Sequence, residues 1–291
     1  PGICAAIQAA RQGLSVALIN NRGYLGGNSS AEIGVSVDGA DGAQEFNYYS
    51  REAGIVDELR LEDLYRNPQK NRYIWDTVLI DAIRKESNIQ IILNTNIDKV
   101  ELKNNKSIQY VSGSQLGSEK RFDFYGSMFL DDTGDGTIGY LSGAEFRMGR
   151  ECKAEFNERI APDEADDFVI PSTLTFHAKN TGKPINYVRP DFAIDLTKTD
   201  VLKYRVIPKD RFWRFHWFYE ATGKINQIDN SEEIIHMHRE LVYGIWDYVK
   251  NSGEYNSEQF DLEYVAPVPG KRESRRLMGD YILKESVIVE Q

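Results

Sequence analysis

The chain has 291 residues, enough for one large domain or two ordinary ones. Hydrophobic residues at 41% and charged residues at 27% give a globular balance, while a net charge of -10 excludes the basic face that nucleic acid or anionic lipid requires. No run of about eighteen apolar residues offers a membrane-spanning helix, and the 2 cysteines, Cys4 and Cys152, are too few for a disulfide scaffold or a thiolate metal cage.

The chain opens Pro1-Gly2-Ile3-Cys4 without a methionine. Ile3, Ala6, Ile7 and Ala10 recur at helical spacing and predict a helix from Gly2 to Gln12. Gly13 stops it, as glycine commonly does just past a helix. Leu14 to Ile19 reads as a short apolar strand covered on both faces. Helix, glycine stop and buried strand together read as the second half of a βαβ unit whose first strand lies upstream, so the sequence is expected to be a fragment. A glycine-rich stretch follows, from Arg22 to Ser30. Ile74, Val78, Leu79, Ala82 and Ile83 predict a helix over 73–86. A strand is expected at 90–93. Asn104-Asn105 marks a turn between strands at 97–102 and 107–111. A strand over 122–130 leads into Asp131-Asp132-Thr133-Gly134-Asp135-Gly136.

After Glu151 the texture changes. Residues 158–168 are acidic and expected to be loop, with the acidic run at 163–167 solvated. Strands are expected at 172–178, 192–196 and 212–219. The clearest helix spans 231–250, capped by Asp229 or Ser231, with Ile234, His238, Leu241, Val242, Ile245, Trp246 and Val249 on one face. Pro267, Pro269 and Gly270 break the pattern ahead of Lys271-Arg272-Glu273-Ser274-Arg275-Arg276. The expected class is α/β. A Rossmann-type domain with a parallel sheet covers 1–150, a mixed or β-rich domain covers 151–265, and 266–291 returns to the first domain.

Several residues carry possible chemistry. Gly2 fits the last glycine of a dinucleotide fingerprint, where a helix N-terminus faces a pyrophosphate; any small-residue helix on a sheet would look the same. Asn20 and Asn21 stand where such sites usually hold an acid for ribose hydroxyls, or they form an Asn-rich turn. Gly26-Gly27 permits close approach of a ligand to the backbone, with Asn28, Ser29 and Ser30 adding polar groups; the alternative is a surface loop. The Asp/Gly run at 131–136 has too few oxygens at useful spacing for calcium and reads as a turn at a cofactor's edge. His236 and His238 lie two apart on a helix and therefore point to different faces, one to the surface and one to the core, so no metal site is expected.

Four segments stand in order: PGICAAIQAARQG at 1–13, LGGNSS at 25–30, DDTGDG at 131–136 and PGKRESRR at 269–276, with YGIWDYVKN at 243–251. On these the chain resembles the bacterial FAD-dependent oxidoreductase family with a glutathione-reductase-type FAD domain, over essentially its whole length. The resemblance implies FAD as cofactor and hydride transfer from a small organic, possibly carbohydrate-derived, substrate to the flavin. It places Gly2, Gly26, Gly27, Asn28 and Ser29 near the pyrophosphate and flavin. Asn20 or Asn21 falls in the place of the ribose-binding acid, Ile97 meets the adenine through its backbone, and Thr133, Gly134 and Asp135 close over the cofactor. Arg272, Arg275 and Arg276 are candidates for the cation that steadies reduced flavin, or they form an ion-pair cluster with Glu273 and Asp280. His216, within an aromatic run at 212–219, is the candidate proton acceptor, or a satisfied histidine in a buried strand. A flavoprotein-like binding module without catalysis and an NAD-dependent dehydrogenase remain the alternative readings. Without an upstream strand, the 291-residue chain is expected to hold FAD poorly. Compartment and oligomeric state are left open.

Overall fold

A computed structural model describes residues 1–37, 39, 51–213 and 223–289. In chain order the first elements are α1 (Gly2–Arg11), β1 (Val16–Ile19), a 3-10 turn at Gly27–Ser29, α2 (Ile55–Arg66), α3 (Arg72–Arg84), β2 (Ile89–Ile92), β3 (Thr95–Asn104), β4 (Ser107–Gln115), β5 (Arg121–Tyr125), α4 (Thr137–Leu141) and β6 (Phe146–Arg147). Then come α5 (Lys153–Phe156), β7 (Phe176–Asn180), a 3-10 turn at Leu196–Lys198, α6 (Val201–Tyr204), α7 (Ser231–Asn251), β8 (Phe260–Val265), β9 (Arg276–Leu277) and α8 (Glu285–Val289). The chain divides into two units, Pro1–Arg147 with Arg275–Tyr281, and Met148–Ser274 with Ile282–Gln291.

In the first unit β1 and β2 run parallel, Val16 opposite Ile89 and Ile19 opposite Ile92. Parallel strands need a crossover between them, and residues 20–88, with α2 and α3, supply it. Ile7 of α1, Leu25 and Ile83 of α3 are buried together, with Ile3, Leu18, Ile89 and Ile91 packed against them. The expected parallel sheet is present only as this pair among the described residues. The expectation that β1 is covered on both faces does not hold: Ala17 is exposed and Leu14 is 57% exposed. An apolar run records a preference for burial, whereas cover depends on what packs there, and among the described elements α1 packs on β1 while β2 pairs beside it in the sheet. β3, β4 and β5 form an antiparallel sheet with the expected turn after Asn104, whose side chain accepts the Lys106 N–H at 2.9 Å. The strand expected over 122–130 stops at Tyr125, since Met128 and Leu130 face solvent without a partner strand.

The second unit is built on α7. Its buried stripe comprises Ile234, His238, Leu241, Val242, Ile245, Trp246 and Val249, of which Leu241 to Val249 share a core with Phe176 and Ala178 of β7, itself paired antiparallel with β8. Trp246 meets Phe176 edge to face at 6.2 Å between ring centres. Asn230 precedes α7, with no side-chain capping bond, so neither Asp229 nor Ser231 is the cap. Asp229 instead accepts a bond from the Asn226 amide at 2.7 Å. The strand expected at 192–196 is also absent. Asp195 accepts the Thr197 N–H at 3.1 Å and starts a 3-10 turn, a local side-chain bond that competes with strand pairing. The acidic run 163–167 is exposed, as expected of a solvated loop, and Asp166 within it pairs with Arg150 through Nε at 2.9 Å.

Candidate functional site

In the first unit the N-terminal turn of α1 has no side-chain cap. Its N–H groups and the positive end of the helix dipole are therefore available to an acceptor. Gly2 sits where a side chain would crowd its neighbour: a Cβ there would lie 3.2 Å from Asp132 Oδ2. Ile3 and Cys4 seat the turn against the cluster of Leu59, Val78 and Leu79.

The segment 25–29 is a tight turn. Gly26 has φ 108 and Gly27 φ 58, values that L side chains rarely adopt. A Cβ on Gly26 would lie 2.9 Å from Ser29 Oγ and 3.1 Å from Leu79 Cδ1, so α3 demands glycine here. Gly27 differs, since nothing lies within 4 Å of a Cβ built on it, and its backbone is open to a ligand. Ser29 Oγ donates to the Gly26 carbonyl at 3.0 Å and accepts from Trp75 Nε1 at 3.4 Å. Leu25 is buried, and its N–H donates to the carboxylate of Asp76. Asp76 is 8% exposed, and its Oδ1 has no partner among the described residues. Burial raises this carboxyl above the usual carboxylate range, against the opposing pull of the Leu25 N–H. Sequence reasoning passed over Asp76, although it stands at helical spacing with the buried Leu79 and Ile83.

The loop at 131–136 is organised by Asp131. Its Oδ1 accepts the Thr133 N–H at 3.0 Å and the Thr133 hydroxyl at 2.7 Å, and its Oδ2 accepts the Gly139 N–H at 2.9 Å. Thr133 Oγ1 accepts the Thr137 N–H at 2.8 Å and so satisfies the first N–H of α4. Gly134 and Gly136 both have positive φ. At its far end the loop meets Arg275, whose Nη1 donates to the Asp135 carbonyl at 3.3 Å. The Arg275 guanidinium lies 3.9 Å from the centre of the Tyr140 ring and 5.6 Å from that of Phe146. β9, next in sequence, pairs Arg276 with Arg147 and Leu277 with Phe146. The loop thus lies beside Gly2 at Asp132 and is bonded to Arg275 at Asp135, all within one unit.

Other predicted residues fall elsewhere. Asn20 spends its amide nitrogen on the Arg22 and Tyr24 carbonyls, both at 2.9 Å. Its side chain therefore shapes the approach to the glycine turn and leaves only the amide oxygen for a ribose hydroxyl. Asn21 is exposed. Ile97 lies on β3 opposite Gly113, beside a bulge. Arg272 belongs to the second unit, so the arginines expected to act together divide between units. His216 lies outside the described residues. His236 is exposed and His238 is 1% exposed, on different faces as the spacing requires. Among the described residues no group of acids, histidines and cysteines could hold a metal ion, and no helix is long and apolar enough to cross a membrane.

The model of the FAD dependent oxidoreductase family matches residues 1–291. The chain belongs to that family. No curated protein and no solved structure matches it. Membership makes the protein an enzyme with FAD as its cofactor, and sets aside the NAD-dependent and non-catalytic readings. The residues present fit that cofactor: a helix end without a side-chain cap, two successive glycines of positive φ, one with open space where a side chain would stand, and one buried carboxylate oxygen without a donor among the described residues. These are the backbone donors, close approach and hydroxyl acceptor that a flavin dinucleotide requires.

Proposed function

We propose that the first unit holds FAD against the α1 N-terminus, the Leu25–Ser29 turn and the 131–136 loop, in a Rossmann-type arrangement of the glutathione-reductase kind, and that the enzyme oxidises a small organic substrate by hydride transfer. FAD supplies the ring that accepts the hydride when it is bound. Gly26, Gly27, Asn28 and Ser29 hold it through a backbone that no Cβ obstructs at Gly27. Thr133, Gly134 and Asp135 form the adjoining loop edge. The parallel pairing of β1 with β2 beside α1 supports the Rossmann reading.

The observation that carries the reading is the position of the 131–136 loop, with Asp132 beside Gly2 and the Asp135 carbonyl bonded to Arg275. A residue far along the chain is thereby fixed beside this loop. Arg275 is half-buried and stacked on Tyr140, so its cation is fixed in place and partly removed from water, where it acts most strongly. Its task is to supply positive charge to the site as negative charge develops there. Of the three tail arginines considered for this role, Arg272 lies in the other unit and Arg276 is part of the β9 pairing with Arg147, so Arg275 is the one assigned.

The test is the reduction potential of bound FAD. Replacing Arg275 by Gln is expected to lower it by about 30 mV or more, a tenfold change for two electrons, with Arg275→Lys intermediate. A potential unchanged in Arg275→Gln would remove this arginine from the site.

A further inference from the structure

Resting on the FAD reading above, we infer that Asp76 is an FAD-binding residue: one carboxylate oxygen fixes the glycine turn through the Leu25 N–H, and the other is kept for a hydroxyl of the dinucleotide. Three residues of α3 face the turn. Trp75 donates to Ser29 Oγ, Leu79 fills the space a Gly26 side chain would need, and Asp76 takes the Leu25 N–H. Two of these contacts are complete within the protein. The third is half complete, because Asp76 Oδ1 is buried and has no partner among the described residues.

A buried acceptor left without a donor costs free energy, and more so in a carboxylate. Packing does not account for the acid. An alanine or leucine at this point of the α3 stripe would bury without that cost, and an asparagine would serve the Leu25 N–H equally well. What the acid adds is a second acceptor beside a turn with an open backbone at Gly27. FAD is rich in the matching donor, since its ribityl chain and its ribose both carry hydroxyls.

The experiment measures dissociation constants for FAD, FMN and ADP, by flavin fluorescence and by calorimetry, on the native protein, Asp76→Asn and Asp76→Ala, with thermal unfolding of each. Asp76→Asn keeps an acceptor for the Leu25 N–H and loses the second one. It is expected to unfold at the native temperature yet bind FAD about tenfold more weakly, the loss of one hydrogen bond to a charged group. Asp76→Ala is expected to bind more weakly still. Weakened FMN binding points to a ribityl hydroxyl, and weakened ADP binding to the ribose. FAD affinity in Asp76→Asn equal to that of the native protein overturns this inference alone. A full-length protein without FAD affinity overturns the functional reading, and this inference with it.

Discussion

His238 lies 1% exposed on α7, with Nε2 3.1 Å from Ser172 Oγ and Nδ1 without a partner among the described residues. Burial lowers its pKa from 6.5 to about 4, a small opposing effect coming from Ser172. The folded protein therefore keeps this imidazole neutral where the unfolded chain takes up a proton. Its contribution to stability is complete above pH 6.5 and is lost as pH falls through about 4. The loss amounts to about 3 kcal/mol at 1.36 kcal/mol per pH unit. Urea unfolding at pH 7 and pH 4.5 is expected to show this decline, and His238→Gln to flatten it; an equal decline in both proteins would remove His238 as the cause. Single residues were unevenly legible in the sequence. The core place of His238 followed from the spacing of the α7 stripe, and Gly26 and Gly27 from adjacency. The Leu25 N–H that Asp76 accepts comes from a residue some fifty positions away, and no local pattern announces such a bond.

Among the elements, the glycine turn is where backbone geometry is most demanding. Gly26 and Gly27 both have positive φ, but only Gly26 faces side chains at 2.9 and 3.1 Å from a Cβ. Gly27→Ala is expected to cost about 1 kcal/mol for the left-handed backbone alone. Gly26→Ala adds crowding against Leu79 and is expected to cost about 3 kcal/mol, with a larger loss of FAD affinity. Denaturant titration of both variants checks this, and equal costs would show that the turn relaxes away from α3. α1, α3 and α7 were readable because their apolar stripes are regular and long. α2 (Ile55–Arg66) was missed because Leu61, Leu64 and Tyr65 are exposed and only Leu59 is buried, which leaves no clean periodicity. At 192–196 the alternation of Phe192, Ile194 and Leu196 imitates a strand, but Phe192 is 54% exposed and the Asp195 bond turns the chain.

At the scale of the whole molecule, each unit has its own buried core, around Ile7, Leu79 and Ile83 in the first and around Trp246 and Phe176 in the second. The segment Arg275–Tyr281 belongs to the first unit although more than a hundred residues of the second precede it. A sequence motif can suggest such a return, but the placement rests on Arg276–Arg147 strand pairing and on the stacking of Arg275 over Tyr140, contacts that local propensity does not encode. The family assignment makes FAD the cofactor; the account adds which residues hold it. Hydrogen–deuterium exchange of the native protein with and without FAD tests that addition most directly. Residues 1–5, 25–30, 131–139 and 275–278 are expected to exchange more slowly with FAD bound. Protection confined to other segments, with these four unchanged, would contradict it.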